Sequence, residues 1–307
     1  MSHPFHSIRS CLKEKVLMKS YVFFRTGGRA DYLFEPDSAD LLKEGLTLFK
    51  QAALPVFMLG AGAKVLVHDD GFRGVVIRLR KGAFAHMDKR NDLVYECGSG
   101  VMGADLAQLA CREGVQGFEF LCGFPSSLGG AIHGNSGTKD GTIGPLLENM
   151  MTISPATGEE KRWDKKEMDW KYRSFPALKD SIILSAVLRG MKGDTKTIAD
   201  KMESIRLERG KNEPKGFSCG SIFKNAATIK AWEVIDQLGY RGYGIGGAQV
   251  SFEHPNWIVN KGRATSKNIW DLICLIRTKA KEKFDVTLEL ELNLLGDFMK
   301  NSTGLDT

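Results

Sequence analysis

Residues 60–79 read GAGAKVLVHDDGFRGVVIRL, and this stretch excludes one common fold. It follows a run typical of a buried strand, as does the glycine turn of a dinucleotide-binding βαβ unit. Val65 replaces the third glycine of that fingerprint, and the residues after it return to a strand instead of opening a helix. The stretch therefore predicts a glycine turn whose backbone N–H groups can face a phosphate, outside a doubly wound sheet.

The elements around this stretch are short and mixed, without the steady strand–helix alternation of a doubly wound fold. Apolar periodicity predicts helices at 37–54, 104–114, 195–209, 227–239 and 266–284. It predicts strands at 74–80, 92–98, 181–188 and 256–260, and a hairpin that turns at Pro155–Gly158. Residues 286–296 alternate and predict a closing strand, with Glu289, Glu291 and Asn293 on its polar face. The pattern indicates an α+β protein.

Composition limits the class of protein. The chain has 307 residues, enough for two or three domains, and a formal net charge of +6. This charge suits an anionic ligand, but its even spread gives no sign of nucleic-acid binding. The six cysteines have no metal-like spacing, no apolar run is long enough to span a bilayer, and the N-terminus lacks a signal-peptide pattern. These features predict a soluble cytoplasmic protein without a metal site.

A second glycine cluster, CGFPSSLGGAIHGNSG at 122–137, lies in an irregular tract. Gly129 and Gly130 are expected to leave backbone amides bare, and Ser126 and Ser127 add hydroxyl donors, which suits a pyrophosphate. A tight connection between two sheets explains the same composition equally well. Two loops whose hydrogen-bond donors suit a phosphate, within seventy residues of each other, favour a ligand of the nucleotide type.

The other polar candidates stay open on the residues alone. Ser221, in SCGSIFKN at 218–225, is either a loop serine or a hydroxyl placed for proton transfer. Arg173, in WKYRS at 170–174, lies between an aromatic residue and a serine and is a polar candidate, although most such arginines are surface residues. The residues do not choose between Glu289 and Glu291, and His133 and His254 lack partners at metal-ligand spacing.

Taken in order, seven blocks resemble the UDP-N-acetylenolpyruvoylglucosamine reductase family. They span about residues 20–297 and read FFRTGGRADYLFEP, LGAGAKVLVHDDGFRGVVIRL, GFEFLCGFPSSLGGAIHGNSG, KYRS, CGSIFKN, GGAQVSFEHPNWIVN and FDVTLELELNLLG. Their order and spacing are more specific than any single block, and KYRS without a long insertion after it looks like the shorter subtype. Two departures are SGTKDG at 136–141 and Ala226 after FKN, where the family commonly has proline.

The resemblance implies an FAD-binding fold of the vanillyl-alcohol-oxidase type, with two α+β subdomains and a C-terminal α+β substrate-binding domain. The implied ranges are 1–80, 81–208 and 209–307, with the strand near 286–297 able to pack back on the first. The implied residues around a non-covalent FAD are Gly60, Ala61, Gly62, Ala63 and Lys64 in one loop and Gly123, Ser126, Ser127, Gly129, Gly130 and Asn135 in the other.

The resemblance also implies the chemistry, a step of peptidoglycan precursor synthesis. NADPH reduces FAD, and the reduced flavin passes hydride to the vinyl carbon of an enolpyruvyl UDP-sugar. Arg173, Ser221 and Glu291 are the implied catalytic set, with Ser221 as the proton donor. Lys224 and Asn225 follow Ser221 closely enough to reach the substrate diphosphate. An oxidase of the same flavin fold and a non-enzymatic nucleotide-binding protein are the alternatives.

Overall fold

The computed structural model describes residues 5–226 and 229–298. Its α-helices are α1 (Ala39–Gln51), α2 (Gly103–Arg112), α3 (Leu128–His133), α4 (Thr195–Asn212), α5 (Ala231–Gln237) and α6 (Ser266–Phe284). Ser38 accepts a hydrogen bond from Leu41 N–H and so caps α1, as its sequence predicts. The predicted start of the helix at 227–239 falls on residues 227 and 228, which lie outside the described residues.

The strands are mostly short. They are β1 (Leu12–Leu17), β2 (Arg29–Phe34), β3 (Val56–Met58), β4 (Val65–Val67), β5 (Phe72–Ile77), β6 (Met87–Asn91), β7 (Val94–Gly98), β8 (Val115–Gln116), β9 (Gly137–Thr138), β10 (Gly141–Thr142), β11 (Leu147–Ile153), β12 (Glu160–Asp164), β13 (Ile182–Arg189), β14 (Met191–Lys192), β15 (Gly244–Ile245), β16 (Ala248–Val250), β17 (Ile258–Asn260) and β18 (Asn293–Leu295). The mixture of helices and largely antiparallel sheets confirms the α+β class.

The chain forms two compact units. Unit 1 comprises 1–14, 32–61 and 74–210, and unit 2 comprises 15–31, 62–73 and 211–307, with the undescribed residues set aside. A four-stranded sheet has the order β1-β2-β5-β3, and a five-stranded antiparallel sheet has the order β12-β11-β13-β7-β6. The division into three domains at 80/81 and 208/209 stays a prediction.

Unit 1 contains two apolar cores. The first gathers α1 and neighbouring strands around Phe34, Phe49 and Ile77. The second packs the five-stranded sheet and α2 around Tyr95, Phe120 and Met150. Each core provides a rigid support for the irregular segments that connect its helices and strands, and ligand-binding loops are commonly held on such a scaffold.

Unit 2 is built on α6, whose predicted stripe of Ile269, Ile273, Ile276 and Ala280 is fully buried. Asp69 accepts hydrogen bonds from the first two N–H groups of this helix, at Ser266 and Lys267 (both 2.8 Å). The core also includes α5 and the strands of the β15-β16-β17 sheet.

The closing strand is shorter than its sequence predicts. Regular pairing covers only β18, which runs parallel to β4, and Leu290 forms one isolated bridge with Phe223. The alternation of burial still holds, since Leu288 and Leu292 are buried while Glu289 is exposed. The segment before β18 therefore alternates in burial as a strand does, although only one of its residues, Leu290, forms a bridge to a neighbouring segment.

Candidate functional site

The first glycine loop has free hydrogen-bond donors. Gly62 has φ +80°, and a Cβ there would lie 2.1 Å from the carbonyl oxygen of Tyr21, so only glycine fits. Among the described residues, none accepts a hydrogen bond from the backbone N–H groups of 60–64. β4 follows the loop directly, which confirms the predicted strand and the exclusion of a helix-opening fingerprint.

The second glycine loop differs from its prediction in one respect. The expectation of bare amides at Gly129 and Gly130 is wrong, because Gly129 N–H donates to Ser99 O (2.8 Å) and Gly130 N–H to Ser127 Oγ (3.3 Å). Ser127 is the cap of α3, and such a cap uses the donors that a short helix would otherwise leave unpaired. The composition could not distinguish a capped turn from an open one.

An orphaned hydroxyl lies in the same loop. The Oγ atoms of Ser126 and Ser99 are buried and have no hydrogen-bond partner among the described residues. A buried unpaired hydroxyl costs free energy unless a ligand or water satisfies it. Gly60 packs against this loop inside unit 1, since a Cβ on it would lie 2.6 Å from Ser127 Oγ. Within unit 1, the unpaired N–H groups of Gly60 and Ala61, the buried hydroxyl of Ser126 and the close approach of Gly60 to Ser127 fit the diphosphate of FAD.

The side-chain amide of Asn135 forms hydrogen bonds with the backbone of other residues. It has φ +38°, and its side chain donates to Lys171 O (3.0 Å) and accepts from Gly144 N–H (3.3 Å). Both polar atoms of its amide therefore hold protein groups, including the start of the turn that carries Arg173. The contact of Asn135 with FAD stays a prediction.

Arg173 lies in a tight turn of unit 1. Lys171 and Ser174 pair through both backbone N–H groups (2.9 and 3.1 Å), and Arg173 between them has φ +54°. Its guanidinium carbon lies 5.4 Å from the centroid of the Tyr172 ring. A non-glycine residue in the left-handed region is uncommon and costs free energy, so the turn holds Arg173 in a defined conformation.

The departure SGTKDG has a simple structural explanation. β9 and β10 pair as Thr138 with Gly141 and Gly137 with Thr142, so the segment is a tight hairpin with Lys139 and Asp140 at its tip. Lys139 also forms an ion pair with Glu208 at 2.5 Å. The unusual residues therefore build a local turn in unit 1.

Ser221 lies in unit 2, in a segment that is held at several points. The side chain of Asn256 accepts from Phe223 N–H (3.0 Å) and donates to Phe223 O (2.8 Å), as a neighbouring strand would. Asn256 O also accepts from Ile222 N–H (2.8 Å), and Ser221 forms an isolated bridge with Trp257. The side chains of Ile222 and Phe223 are buried in the unit 2 core. Ser221 is thus displayed from a rigid support.

Ser221, Glu291 and Lys64 come together in unit 2. Lys64 Nζ donates to Ser221 O at 2.7 Å and lies 3.2 Å from Glu291 Oε1. Glu291 N–H donates to Ile222 O (2.8 Å), which ties the closing segment to the serine segment. The two predicted catalytic residues of unit 2 are therefore neighbours, and Lys64 bridges them.

The hydroxyl of Ser221 accepts and donates no hydrogen bond within the described part of the chain. Cys219, two residues earlier, is not an alternative proton donor, because burial raises the pKa of its thiol to about 12 and the group is 3% exposed. Of the two, the half-buried Ser221 is the group that a substrate can approach.

Lys224 and Asn225 have partners of their own. Lys224 Nζ lies 3.4 Å from Glu289 Oε2, and both side chains are exposed. Asn225 Oδ1 accepts from Ala231 N–H (3.1 Å) at the start of α5. An exposed ion pair is weak, so Lys224 can exchange Glu289 for a phosphate at little cost.

Replacing Asn256 with alanine is expected to lower the free energy of unfolding by about 2–3 kcal/mol, because the backbone N–H and C=O of Phe223 would lose their partners inside the protein. Urea titration measures this loss. Asn293→Ala, which removes an exposed amide in the same unit, should change stability by less than about 0.5 kcal/mol. Equal stability of the two variants would contradict the anchoring role of Asn256.

The described residues show neither a metal-binding cluster nor a helix that could span a membrane. Across 5–226 and 229–298, no group of three or more His, Cys, Asp or Glu side chains could hold a metal ion. Within those same residues, no helix has the length and apolar character needed to cross a membrane.

Comparison with known proteins agrees with this architecture. Residues 30–160 match the family described as FAD binding domain, and residues 212–295 match UDP-N-acetylenolpyruvoylglucosamine reductase, C-terminal domain. Together these matches confirm the predicted flavin fold and FAD as the cofactor. Over most of its length, the chain is also similar to proteins named UDP-N-acetylenolpyruvoylglucosamine reductase.

The UDP-N-acetylenolpyruvoylglucosamine reductase of Clostridium novyi is 34% identical over 292 residues, covering 94% of both chains. That of Listeria innocua is 36% identical over 282 residues, covering 91% of this chain and 93% of the relative. The crystal structure of the reductase from Thermus caldophilus superposes with a TM-score of 0.80 at 30% identity, over 93% of this chain and all of that one. The chain therefore belongs to the UDP-N-acetylenolpyruvoylglucosamine reductase family and is an FAD-dependent oxidoreductase of peptidoglycan synthesis.

Proposed function

We propose that this protein reduces UDP-N-acetylglucosamine enolpyruvate to UDP-N-acetylmuramate, with NADPH as the hydride source. The observation that carries the proposal is the joint placement of Ser221 and Glu291, bridged by Lys64, inside unit 2. The names of the relatives support the substrate, an enolpyruvyl ether on a UDP-sugar. Six free cysteines fit the reducing cytoplasm in which we propose the reaction takes place.

When bound, FAD supplies the redox chemistry by accepting a hydride from NADPH and passing it to the terminal carbon of the vinyl group. The chain holds the cofactor through the two glycine loops. Within unit 1, the N–H groups of Gly60 and Ala61 and the hydroxyl of Ser126 are the donors proposed for its diphosphate. Ser127 and the glycines at 60, 129 and 130 are further proposed contacts of FAD, and a glycine has no side chain to hold a ligand away from the loop backbone.

The proposed role of Ser221 is to supply the proton that completes the reduction. Addition of hydride to the terminal vinyl carbon leaves a carbanion-like centre at the neighbouring carbon, next to the carboxylate. A serine hydroxyl is a poor acid, but such a centre is basic enough to take its proton. The new C–H bond forms as the Ser221 O–H bond breaks, and solvent later returns a proton to the serine.

Arg173 is proposed to stabilise the negative charge on the carboxylate and the developing enolate. Its guanidinium offers paired donors in a planar arrangement that matches a carboxylate. The turn at 171–174 and the amide of Asn135 hold its backbone in place. Such preorganised charge lowers the barrier without reorganisation during the reaction.

Glu291 is proposed as the third member of the catalytic set, and Lys224 and Asn225 as ligands of the substrate diphosphate. The surroundings of the two carboxylates support the choice of Glu291 over Glu289. Glu289 is exposed beside Lys224, whereas the side chain of Glu291 is only 18% exposed and adjoins the serine segment. Glu291 is the carboxylate that can accompany Ser221.

The FAD is expected to be bound without a covalent link, because its proposed contacts are backbone amides and hydroxyl groups. Acid precipitation of the purified yellow protein should release the colour into the supernatant. Colour that stays in the pellet, or a colourless protein that added FAD fails to reconstitute, would contradict this expectation.

Consumption of NADPH tests the proposed reaction. With the enolpyruvyl UDP-sugar present and oxygen removed, NADPH should be oxidised in a one-to-one ratio with the lactyl product. Without that substrate, NADPH oxidation should stop after one equivalent per flavin. In a parallel reaction with oxygen admitted, steady oxidation of NADPH at the same rate with and without the UDP-sugar would favour an oxidase of the same fold instead.

A further inference from the structure

We propose that Lys64 is a positioning residue for Ser221 in the proton-transfer step. The sequence pattern places Lys64 in a phosphate-binding loop, but its side chain donates to Ser221 O at 2.7 Å. The inference rests on the proposed role of Ser221 and adds to it a specific support from a distant part of the chain.

The contact fixes the orientation of the serine. A hydrogen bond from an ammonium group is stronger than one between neutral groups, so it holds the Ser221 carbonyl firmly. Gly220, before the serine, has φ +73°, and a Cβ on it would lie 3.5 Å from Lys64 Nζ. The lysine therefore covers the left-handed residue from which Ser221 is displayed, and the direction of the Ser221 side chain follows from its fixed backbone.

Glu291 holds the other side of the ammonium group. Its Oε1 atom lies 3.2 Å from Lys64 Nζ, and the two side chains are 18% and 36% exposed. Partial shielding from water makes this pair stronger than an open surface pair. Lys64 is therefore held between the two residues of unit 2 that the reaction is proposed to use.

The backbone of the lysine is fixed as well. Lys64 O accepts from Asn293 N–H at 2.9 Å, and the next residue, Val65, accepts from Cys219 Sγ at 3.5 Å. The end of the glycine loop is thus tied to the segments carrying Glu291 and Ser221. Both the backbone of Lys64 and the two groups that its side chain contacts are therefore held by hydrogen bonds.

The position also has an electrostatic consequence. A serine that gives up its proton carries negative charge in the transition state. The Lys64 ammonium lies against the carbonyl of that same residue, so its positive charge favours negative charge that develops on the residue. Glu291 is paired with the same ammonium and offsets part of this effect, so the main proposed role of Lys64 is to orient the donor.

Lys64→Met tests the proposal, because methionine keeps much of the stem and loses the charge and the donors. Turnover is expected to fall about 10- to 100-fold, the loss that follows a small misplacement of a reacting group. The FAD content, the KM for the UDP-sugar and the rate at which NADPH bleaches the flavin should stay within about threefold of the wild type, since Lys64 is proposed to act only on proton transfer. Lys64→Arg should retain more turnover than Lys64→Met.

Lys267→Met is the matched control, because Lys267 forms an ion pair with Asp271 in the same unit (2.7 Å) and has no proposed role in the reaction. It should keep wild-type turnover. If Lys64→Met does not fold, Lys64→Arg alone carries the test, and full activity with weakened FAD binding in that variant would overturn the proposal.

The double variant separates this inference from the proposed function. On a Ser221→Ala background, Lys64→Met should cost no further turnover, because its effect passes through the serine hydroxyl. Losses that multiply would overturn the positioning role, as would a Lys64→Met enzyme whose main defect is lost FAD. Wild-type turnover in Ser221→Ala alone would instead remove the proposed function of Ser221.

Discussion

Replacing Ser221 with alanine should lower turnover by about 10²- to 10⁴-fold, the usual contribution of a positioned proton donor. The change removes one oxygen atom that makes no hydrogen bond to the described residues, so the fold and the bound FAD should survive. Steady-state NADPH oxidation in the presence of the UDP-sugar measures the loss. The flavin spectrum of the variant shows whether the cofactor site is intact.

Two further variants locate the effect in the hydroxyl of Ser221. Ser218→Ala removes a buried hydroxyl three residues earlier and should leave turnover within about twofold of the wild type. Ser221→Cys should retain part of the activity because a thiol can also give up a proton. Equal losses in Ser218→Ala and Ser221→Ala would indicate that the segment, and not the Ser221 hydroxyl, is responsible.

Replacing Arg173 with lysine should lower turnover by about 10²-fold or more, although the positive charge is kept. Lysine lacks the planar fork that binds both oxygens of a carboxylate, and loss of one such donor commonly costs about 10²–10³-fold. Arg173→Ala should be at least as impaired. The loss should appear in kcat more than in KM, because the charge that Arg173 stabilises develops during the reaction.

Lys171→Gln is the control for Arg173. It removes a cation from the same turn, and only the backbone of Lys171 has a structural role there. Its turnover should stay close to the wild type. Full activity in both Arg173 variants would show that Arg173 is a surface arginine, the alternative that the sequence left open.

Local determinants explain what the sequence predicts well. Helix α6 begins and ends at its predicted residues, because Thr265 caps it and its apolar stripe is continuous. The strand after the first glycine loop is also predicted from local sequence, because Val65–Val67 are all apolar and two of the three are β-branched. Features that depend on a few neighbouring residues can be predicted from the sequence without knowledge of the fold.

Contacts across the chain explain what the sequence does not predict. The closing strand shortens to Asn293–Leu295 because only β4 pairs with it in a regular ladder. Lys64 and Ser221 are separated by 157 positions, and no periodicity announces their hydrogen bond. The charged side chain of Lys64 among the small residues of GAGAKV is a signal that could have drawn attention to it.

The amides of Asn135 and Asn256 show the same limit. Asn135 bonds to the backbone of Gly144 and Lys171, and Asn256 makes both of its side-chain bonds to the backbone of Phe223. Each amide thereby holds a segment that carries a proposed catalytic residue. Asparagine is common in loops for local reasons, so its identity alone does not reveal a bridging role. Such supports become visible only when the segments are seen side by side.

Stopped-flow absorbance on Ser221→Ala tests the central claim, that Ser221 acts only in protonating the product. The flavin loses its visible absorbance when NADPH reduces it and regains it when the substrate is reduced, so the two half-reactions are observed separately. We predict that NADPH bleaches the flavin of the variant at close to the wild-type rate, while product formation falls by about 10²- to 10⁴-fold. If bleaching slows as much as turnover, or if neither slows, Ser221 is a loop residue and the account is wrong.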